Sequence, residues 1–192
     1  MFLKIWDVII KNIIIDTLET VLVAMAVFLI LQTLVAGSRV EGSSMETSLP
    51  HNSYVLINKM RYLQPVFWTT SSSRVNDSTY LFDAPKRGEI IVFHSPYPNN
   101  PDYVKRVIAV PGETISIKNG TILVNDRPLE EPYITNKSVS NMQPTIIPPG
   151  EIFVLGDNRS YSEDSRSFGP ISRESIIGKV WFIVWPLNSK LK

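Results

Sequence analysis

The sequence predicts a mainly β protein, in which a single N-terminal transmembrane helix is followed by an antiparallel β-sheet domain with a β-hairpin excursion. Near its start, the 192-residue chain has an uncharged apolar stretch long enough to span a bilayer. The remainder consists of short runs that alternate apolar and polar residues, and the chain's 14 prolines and 9 glycines favour turns over long helices. Because no long helical crossover separates these runs, adjacent strands are expected to be antiparallel.

The predicted span comprises residues 20–37 (TVLVAMAVFLILQTLVAG), which contain no charged side chain. At about 1.5 Å per residue, a helix of this length crosses most of the hydrocarbon core of a bilayer. The preceding residues 1–19 mix apolar residues with charges, as an interfacial amphipathic helix does. Residues 1–37 are therefore predicted to form the membrane anchor.

A cleavable signal peptide is the main alternative, because LVAGS (34–38) resembles a cleavage site. The leading segment is longer than the basic start of a signal peptide and carries three acids, which favours an uncleaved anchor. A buried core helix fits poorly, since a soluble domain of this size rarely needs so long an uncharged run. More positive charge lies before the predicted span than after it: Lys4, Lys11 and the terminal amine precede it, and Arg39 follows it. This difference favours a cytoplasmic N-terminus. The prediction is a single-pass protein of the cell membrane with its larger domain on the outer face.

Residues 38–192 are predicted to form one extracytoplasmic β domain. Strands are expected at 53–60, 87–95, 102–110, 150–158 and 178–187. The stretch ETISIKNGTILVND has two alternating runs around Asn119-Gly120, a strong signal for a hairpin with a type I′ turn. This hairpin belongs to a predicted excursion at 118–150. Residues 62–83, rich in Ser and Thr and without a clear period, are expected to form a long surface loop.

Composition excludes several classes of function. The net charge of +1 gives no support for a nucleic-acid partner held by bulk electrostatics. The absence of cysteine excludes disulfides, thiolate metal sites and a cysteine nucleophile. His51 and His94 lie far apart in sequence and match no metal-ligand spacing, so no metal site is expected.

The segment EGSSMETSLP (41–50) directly follows the predicted span. Its small residues and hydroxyls are typical of a polar linker leaving the bilayer, and taken alone that interpretation is the simpler one. Met45 and Leu49 weaken it, because a bare linker does not need large apolar residues around its hydroxyls.

The stretch DYVKRVIAVPG (102–112) is a predicted strand with two adjacent cations. A strand lysine usually reaches solvent from an edge strand. A lysine held inside would lose hydration, its pKa would fall from about 10.4 toward neutrality, and it could then accept a serine proton. Arginine cannot do this, because its guanidinium stays charged. If one cation faces inward for chemistry, it is Lys105, with Arg106 pointing to solvent.

The segment GDNRSYSEDSRSFG (156–169) concentrates charges of both signs between two glycines. Such a segment is often a solvated charged loop. The close alternation of sign instead favours a loop stiffened by its own ion pairs and Asx turns. A rigid polar loop of this kind could hold a small hydroxyl against an amine.

Together the three segments resemble the type I signal peptidase family, the membrane-anchored Ser/Lys endopeptidases of the secretory pathway. The family's nucleophile motif, Ser-Met-x-Pro-Thr-Leu, is similar to SMETSL at 44–49. Its general-base motif, Lys-Arg with an apolar run and Pro-Gly-(Asp/Glu), is matched by KRVIAVPGE at 105–113. Its Gly-Asp-Asn motif, with spaced Ser, Asp, Ser-Arg and Gly, is matched at 156–169. The order, the spacing and the preceding span all agree.

The resemblance implies a serine endopeptidase that removes signal peptides from secreted precursors at the membrane surface, cutting after small residues. Ser44 would be the nucleophile and Lys105 the general base, with Ser162 hydrogen-bonded to the lysine amine. The loop would be braced by Asp157, Arg159, Asp164 and Arg166.

The resemblance also implies where the substrate binds and what the enzyme needs. Gly42 and the Ser44 backbone would form the oxyanion region. Shallow pockets for small substrate residues would be lined by Val40, Met45, Leu49 and Val104. The implied partners are the signal peptides of exported precursors and the lipid bilayer, with no nucleic acid, metal or organic cofactor.

The chain departs from the family pattern in two ways. Thr47 and Ser48 replace the usual Pro-Thr, which frees one φ angle in the turn after the nucleophile. Gly42 stands where some members have a serine that donates to the oxyanion, so the second donor stays open. Other members also carry glycine at this position.

Three other functions compete with this interpretation. The self-cleaving repressors are also Ser/Lys enzymes with a related β core, but they lack an N-terminal membrane span. A Ser-His-Asp hydrolase could use His51 or His94, although neither histidine has a recognisable nucleophile context. A membrane-tethered β domain that only binds other proteins is the third, and it predicts that Ser44→Ala leaves function intact.

Overall fold

The computed structural model describes residues 2–62, 83–134, 136, 138–186 and 191. The chain divides into two compact units, Met1–Val35 and Ala36–Lys192. The long loop predicted at 62–83 lies outside the described residues except for its two end positions.

The first unit is a helix, α1, which runs from Phe2 to Leu34 over 33 residues. Its part from Ile10 to Leu34 has a mean hydropathy of 2.3 and is long and apolar enough to cross a membrane, by length and composition. The predicted interfacial segment and span are thus one continuous helix. The prediction that the span continues to Gly37 is wrong, because strand β1 begins at Val35 and Ala36 packs against the core of the second unit.

Eleven strands are present among the described residues of the chain. Their bounds are β1 Val35–Arg39, β2 Tyr54–Asn58, β3 Ile90–Phe93, β4 Tyr103–Ala109, β5 Thr114–Lys118, β6 Thr121–Val124, β7 Arg127–Pro128, β8 Met142–Ile146, β9 Glu151–Leu155, β10 Ile171–Ser172 and β11 Ile176–Trp185. A short helix, α2, spans Ser165–Phe168. Short 3-10 turns lie at Met60–Tyr62, Arg159–Tyr161 and Arg173–Ser175.

The strands form two sheets. The larger has the order β1-β2-β11-β3-β4-β9-β10, and the smaller has the order β7-β6-β5-β8. The registered strand pairs of both sheets are antiparallel. The predicted fold class, a mainly antiparallel β domain after an apolar helix, is confirmed.

The small sheet contains the predicted hairpin. β5 and β6 pair from Ile115↔Val124 to Lys118↔Thr121, with Asn119 and Gly120 between them. Both turn residues have positive φ, 49° and 78°, as a type I′ turn requires. The hairpin prediction is therefore confirmed, and β8 extends it by pairing with β5.

The buried apolar residues form three clusters. The first joins the small sheet to the ends of β4 and β9 and consists of Ile108, Ala109, Ile115, Ile117, Ile122, Val124, Ile147, Phe153 and Leu155. The second contains Val40, Met45, Leu49, Val55, Ile57, Ile90, Val92 and Val180. The third contains Tyr62, Ile91, Phe93, Val107, Ile152, Val154 and Ile171. The neighbours Val107 and Ile108 of β4 belong to different clusters, so this central strand is covered on both faces.

Candidate active site

The segment after β1 is a compact turn tied to the core. Its backbone closes through hydrogen bonds from the Glu46 N–H to the Ser43 carbonyl and from the Ser48 and Leu49 N–H groups to the Met45 carbonyl. Met45 and Leu49 are 1% and 0% exposed. Burying two large apolar side chains fixes this turn and, with it, the position of Ser44.

Ser44 and Lys105 meet at the centre of the candidate site. The Lys105 Nζ donates to the Ser44 Oγ at 2.8 Å, although the two residues are 61 positions apart in sequence. Lys105 lies on β4 and is 5% exposed. Its amine also lies 5.1 Å from the centre of the Tyr103 ring. The structure thus brings together the two residues predicted to be catalytic.

Burial changes the acidity of the lysine. It lowers the pKa of Lys105 from 10.5 to about 8, against the opposing effect of the carboxylates of Asp164, Glu163 and Asp157. Removing an ammonium from water disfavours its charged form, whereas nearby negative charges favour it. At a pH near 8, a substantial fraction of Lys105 is therefore a neutral amine able to accept a proton.

The expectation that Arg106 points to solvent is wrong. Arg106 is 3% exposed, and its Nε and Nη2 donate to the two carboxylate oxygens of Asp157 at 2.8 and 2.7 Å. It also donates to the Ser48 Oγ at 2.9 Å and the Gly88 carbonyl at 2.7 Å. The side chains of Lys105 and Arg106 point to opposite faces of β4. Because both faces are covered, neither cation reaches solvent. The bidentate carboxylate offsets the cost of burying the guanidinium.

Part of the predicted loop bracing lies within the loop. The Asp164 carboxylate accepts from Arg166 Nε at 2.8 Å and Nη2 at 2.9 Å. It also accepts from the Gly156 N–H at 3.0 Å. Arg166 in turn donates to the Arg159 carbonyl at 2.7 Å. These contacts close the loop on itself.

The other two predicted bracing residues pair outside the loop. Asp157 binds Arg106 of β4, as described above. Arg159 donates from Nη1 and Nη2 to Glu131, at 3.1 and 2.5 Å, in the segment after β7. The loop is therefore also held from two neighbouring parts of the domain.

Ser162 is close to the site but makes no hydrogen bond to the lysine in the structure. Its Oγ is buried and has no partner among the described residues. A Cβ added at Gly156 would lie 2.1 Å from the Ser162 Oγ and 2.7 Å from the Ser44 carbonyl oxygen, so glycine permits the loop to pack this closely. The contact between Ser162 and Lys105 remains a prediction.

Asn158 was given no role in the sequence analysis, yet it donates hydrogen bonds to the backbone carbonyls of both Ser43 and Ser44. Its backbone N–H donates to the Ser44 carbonyl at 2.9 Å, and its Nδ2 donates to the Ser43 carbonyl at 3.1 Å. The C=O of Ser43 and the N–H of Ser44 belong to one planar peptide unit, so fixing the oxygen fixes the direction of that N–H. The sequence motif at 156–169 contains Asn158 and could have indicated its importance. The motif does not show that Asn158 binds Ser43 and Ser44, which lie more than 100 positions earlier in the chain.

A cleft of about 840 Å³ opens beside Ser44 and Lys105. Its apolar walls include Val40 and Val104, as predicted, together with Val55 and Val92, which the prediction missed. Met45 and Leu49 are absent from the residues lining this cleft, and both lie in the core instead. Two of the four predicted pocket residues therefore face the cleft.

Gly42 has φ 91°, a backbone conformation that side chains with a Cβ rarely adopt. A serine with this backbone conformation would be strained. This strain gives a physical reason why Gly42 stands where some family members have a serine. The Gly42 N–H donates to His51 Nδ1 at 3.1 Å, and His94 pairs with Asp102 at 2.9 Å. Among the described residues, the hydrogen bond to the Ser44 hydroxyl comes from Lys105 rather than from a histidine.

This arrangement suits the chemistry of a serine hydrolase. A hydroxyl lies within proton-transfer distance of a buried amine, beside a cleft that four valines and several polar or charged residues line. The model of the family described as "Signal peptidase, peptidase S26" matches residues 14–185. The chain therefore belongs to the signal peptidase family, the serine proteases that remove signal peptides, and the resemblance found in the sequence is confirmed.

Two relatives agree with this assignment in sequence. The chain is 33% identical over 181 residues to signal peptidase I of Leptolyngbya laminosa, covering 90% of this chain and 80% of the relative. It is 32% identical over 197 residues to signal peptidase IB of Staphylococcus aureus strain COL, covering 93% of each. The crystal structure of a signal peptidase I from Enterococcus faecalis V583 matches with a TM-score of 0.46 and 33% identity, covering 52% of this chain and 98% of that one.

Proposed function

We propose that this protein cuts signal peptides from exported precursors at a membrane surface, with Ser44 as nucleophile and Lys105 as general base. The observation that carries the proposal is the 2.8 Å contact between the Lys105 amine and the Ser44 hydroxyl. The pKa of Lys105, lowered to about 8 by burial, supports the role of base. Arginine in its place would keep its proton.

In the acylation step, neutral Lys105 takes the hydroxyl proton of Ser44 while Oγ attacks the substrate carbonyl carbon. For this step the Ser44 hydroxyl must donate its proton to the lone pair of the neutral amine. This direction is the reverse of the hydrogen bond in the structure, in which Lys105 donates to Ser44. Collapse of the tetrahedral intermediate breaks the C–N bond of the peptide, and Lys105 gives its proton to the leaving amine. The ester formed on Ser44 is hydrolysed by a water whose proton Lys105 accepts. This proton then returns to the Ser44 oxygen.

The negative charge on the carbonyl oxygen needs a fixed donor, and the Ser44 backbone N–H is proposed for this role. Asn158 supports it by holding the peptide unit that carries this N–H. A donor held before the reaction begins stabilises the transition state without reorganisation. Gly42 supplies no side-chain donor, and its own N–H is engaged by His51.

The substrate is proposed to bind as an extended peptide, with small side chains before the cut. The apolar part of the cleft lining, which would form the pockets for these side chains, consists mainly of Val40, Val55, Val92 and Val104. Shallow apolar pockets accept alanine-sized side chains and exclude bulky or charged ones. Main-chain hydrogen bonds of the strand-addition kind would hold the peptide.

The proposed location is the cell membrane, with a cytoplasmic N-terminus and the β domain on the outer face. The apolar helix from Ile10 to Leu34 supports a single-pass anchor. Lys4, before this stretch, and Lys11, at its N-terminal end, favour the cytoplasmic N-terminus. Such an anchor would keep the cleft near the membrane in which signal peptides of exported precursors lie.

The test is incubation of the detergent-solubilised protein with a precursor carrying Ala-x-Ala, with the cut mapped by mass spectrometry. We expect one cut after the second alanine, and none with Ser44→Ala or Lys105→Met. His94→Ala is the matched control and should cleave normally. Cleavage by folded Ser44→Ala, or a cut after large or charged residues, would contradict the proposal.

A further inference from the structure

Two side chains of the excursion, Glu131 and Tyr133, reach the charged groups that surround the candidate site. They belong to the segment that follows β7, outside the three motifs that identified the site. The Tyr133 hydroxyl donates to the Glu131 Oε1 at 2.9 Å, so the two side chains form one unit. We call Glu131 and Tyr133 the excursion pair.

The carboxylate of this pair binds the loop. Glu131 accepts from both terminal nitrogens of Arg159, at 3.1 and 2.5 Å. Arg159 also donates from Nε to the Gly156 carbonyl at 3.0 Å. Gly156 is the residue packed against Ser44 and Ser162, so three successive contacts link Glu131 to Ser44.

The ring of this pair covers the strand. The Arg106 guanidinium lies 3.9 Å from the centre of the Tyr133 ring, a distance at which a cation is attracted to the aromatic face. Arg106 precedes Val107 on β4 and directly follows Lys105. The same guanidinium holds Asp157, the residue before Asn158.

We propose that Glu131 and Tyr133 are positioning residues for catalysis, acting through Arg159 and Arg106 to fix the relative placement of Ser44 and Lys105. The proposal rests on the proposed function, in which these two residues react. It assigns a catalytic purpose to an excursion that none of the three motifs includes.

Because Arg159 and Arg106 are buried, losing a partner of either side chain should disturb the surrounding structure. The side chains of Arg159 and Arg106 are each 4% exposed, so neither guanidinium can exchange its partner for water without moving. A buried cation that loses its carboxylate is strongly destabilised where it stands, and the surrounding backbone shifts instead. Near Gly156 such a shift displaces Ser44 relative to the amine, and catalysis is sensitive to displacements of this size.

The main test compares Glu131→Gln with Glu130→Gln in the full-length protein. Glu130 is the exposed neighbour of Glu131 and serves as the matched control. Because the amide keeps the shape but loses the charge, we expect kcat to fall about ten- to a hundred-fold with KM within about two-fold. A role confined to stability would lower the melting temperature and the yield of folded protein, with kcat per folded molecule unchanged.

The pH profile provides a readout that a purely structural role would not move. Lys105 is faced by the carboxylates of Asp157, Glu163 and Asp164, the ring of Tyr103 and the hydroxyl of Ser44. Loosening the loop admits water to the amine, and since burial is the largest cause of its lowered pKa, that pKa rises. The rising limb of kcat/KM in Glu131→Gln should then lie at a higher pH than in Glu130→Gln.

If Glu131→Gln does not fold, the milder variant Tyr133→Phe still tests the positioning role. Tyr133→Phe keeps the ring over Arg106 and removes only the hydroxyl that holds Glu131, so we expect a kcat loss of a few-fold with the same direction of pH shift. A double-mutant cycle of Glu131→Gln with Arg159→Gln should be clearly non-additive, because both changes break one contact.

The outcomes separate this proposal from the one it rests on. If Glu131→Gln and Tyr133→Phe match Glu130→Gln in kcat and pH profile while Ser44→Ala is inactive, the positioning role is wrong and the proposed function stands. If folded Ser44→Ala still cleaves, the proposed function itself fails.

Discussion

Lys105 and Arg106 are adjacent on one strand and equally buried, yet they have different partners. Arg106 lies against both carboxylate oxygens of Asp157, whereas Lys105 contacts the neutral hydroxyl of Ser44 at 2.8 Å. The carboxylate compensates the guanidinium's charge. The hydroxyl does not compensate the ammonium, and burial lowers the pKa of Lys105 to about 8. The side-chain type and its partner, rather than the burial alone, distinguish Arg106, an ion-paired structural cation, from Lys105, the proposed base.

The largest expected effect follows from removing Lys105, the proposed base. Lys105→Met should lower kcat/KM about 10³-fold or more, since general-base catalysis and nucleophile activation are lost together. Ser44→Ala should be equally inactive, and the double variant no worse, because the two groups act as one unit. The exposed strand residue Lys118 gives the matched control, Lys118→Met. Peptide cleavage by folded Lys105→Met within ten-fold of the control would contradict the assignment.

The next effect concerns the structural cation. Arg106→Lys should destabilise the fold by about 2–4 kcal/mol, since an ammonium cannot reproduce the bidentate contact with Asp157 in a buried site. Urea denaturation measures the difference, with Arg127→Lys at an exposed position as the control. A free energy of unfolding equal to that of the control would show that Arg106 is not held by its carboxylate.

A third prediction concerns the stability cost of the lysine. The folded-state pKa of about 8 lies below the unfolded value of 10.5, so between these pH values the unfolded chain binds more protons and stability rises with pH. Lys105→Met should therefore be more stable than the parent protein by on the order of 1–3 kcal/mol below pH 8. That advantage should shrink toward pH 10.5. Thermal denaturation across this range, alongside Lys118→Met, is the measurement, and a constant or growing difference would contradict it.

The smallest expected effect tests the placement of Ser44, the proposed nucleophile. Asn158→Ala removes the donor that fixes the Ser43–Ser44 peptide unit, while the backbone contact to Ser44 remains. We expect kcat to fall about ten-fold with little change in KM, because a misaligned N–H stabilises the oxyanion less well. Ser160→Ala, at an exposed position two residues away, is the control. An unchanged kcat would mean that Asn158 does not orient this donor.

Local patterns were sufficient for much of the fold and for selecting Ser44 and Lys105, whose contact the structure shows and whose catalytic roles stay a prediction. Alternating runs and Asn119-Gly120 predicted the antiparallel strands and the hairpin, since turn type depends on residues adjacent in sequence. Ser44 and Lys105 were found by motif. The apolar character of Met45 and Leu49 also weakened the linker interpretation, and the structure buries both side chains.

The remaining features depend on contacts between distant parts of the chain. Alternation divides β4 into two faces but does not show that both are covered, so the direction of Arg106 was predicted wrongly. Its partner Asp157 is 51 positions away, and the partner of Arg159 is 28 positions away. The same reason applies to Met45 and Leu49, because only packing decides whether an apolar side chain lines a cleft or lies in the core.

The most direct test of the central claim is the pH dependence of kcat/KM for peptide cleavage by the parent protein, with His94→Ala measured in parallel. If buried Lys105 is the base, the rate should rise with pH through an apparent pKa near 8, well below the 10.5 of an ordinary lysine. His94→Ala should give the same curve. A rising limb at the ordinary lysine value, or one that disappears with His94→Ala, would contradict the account.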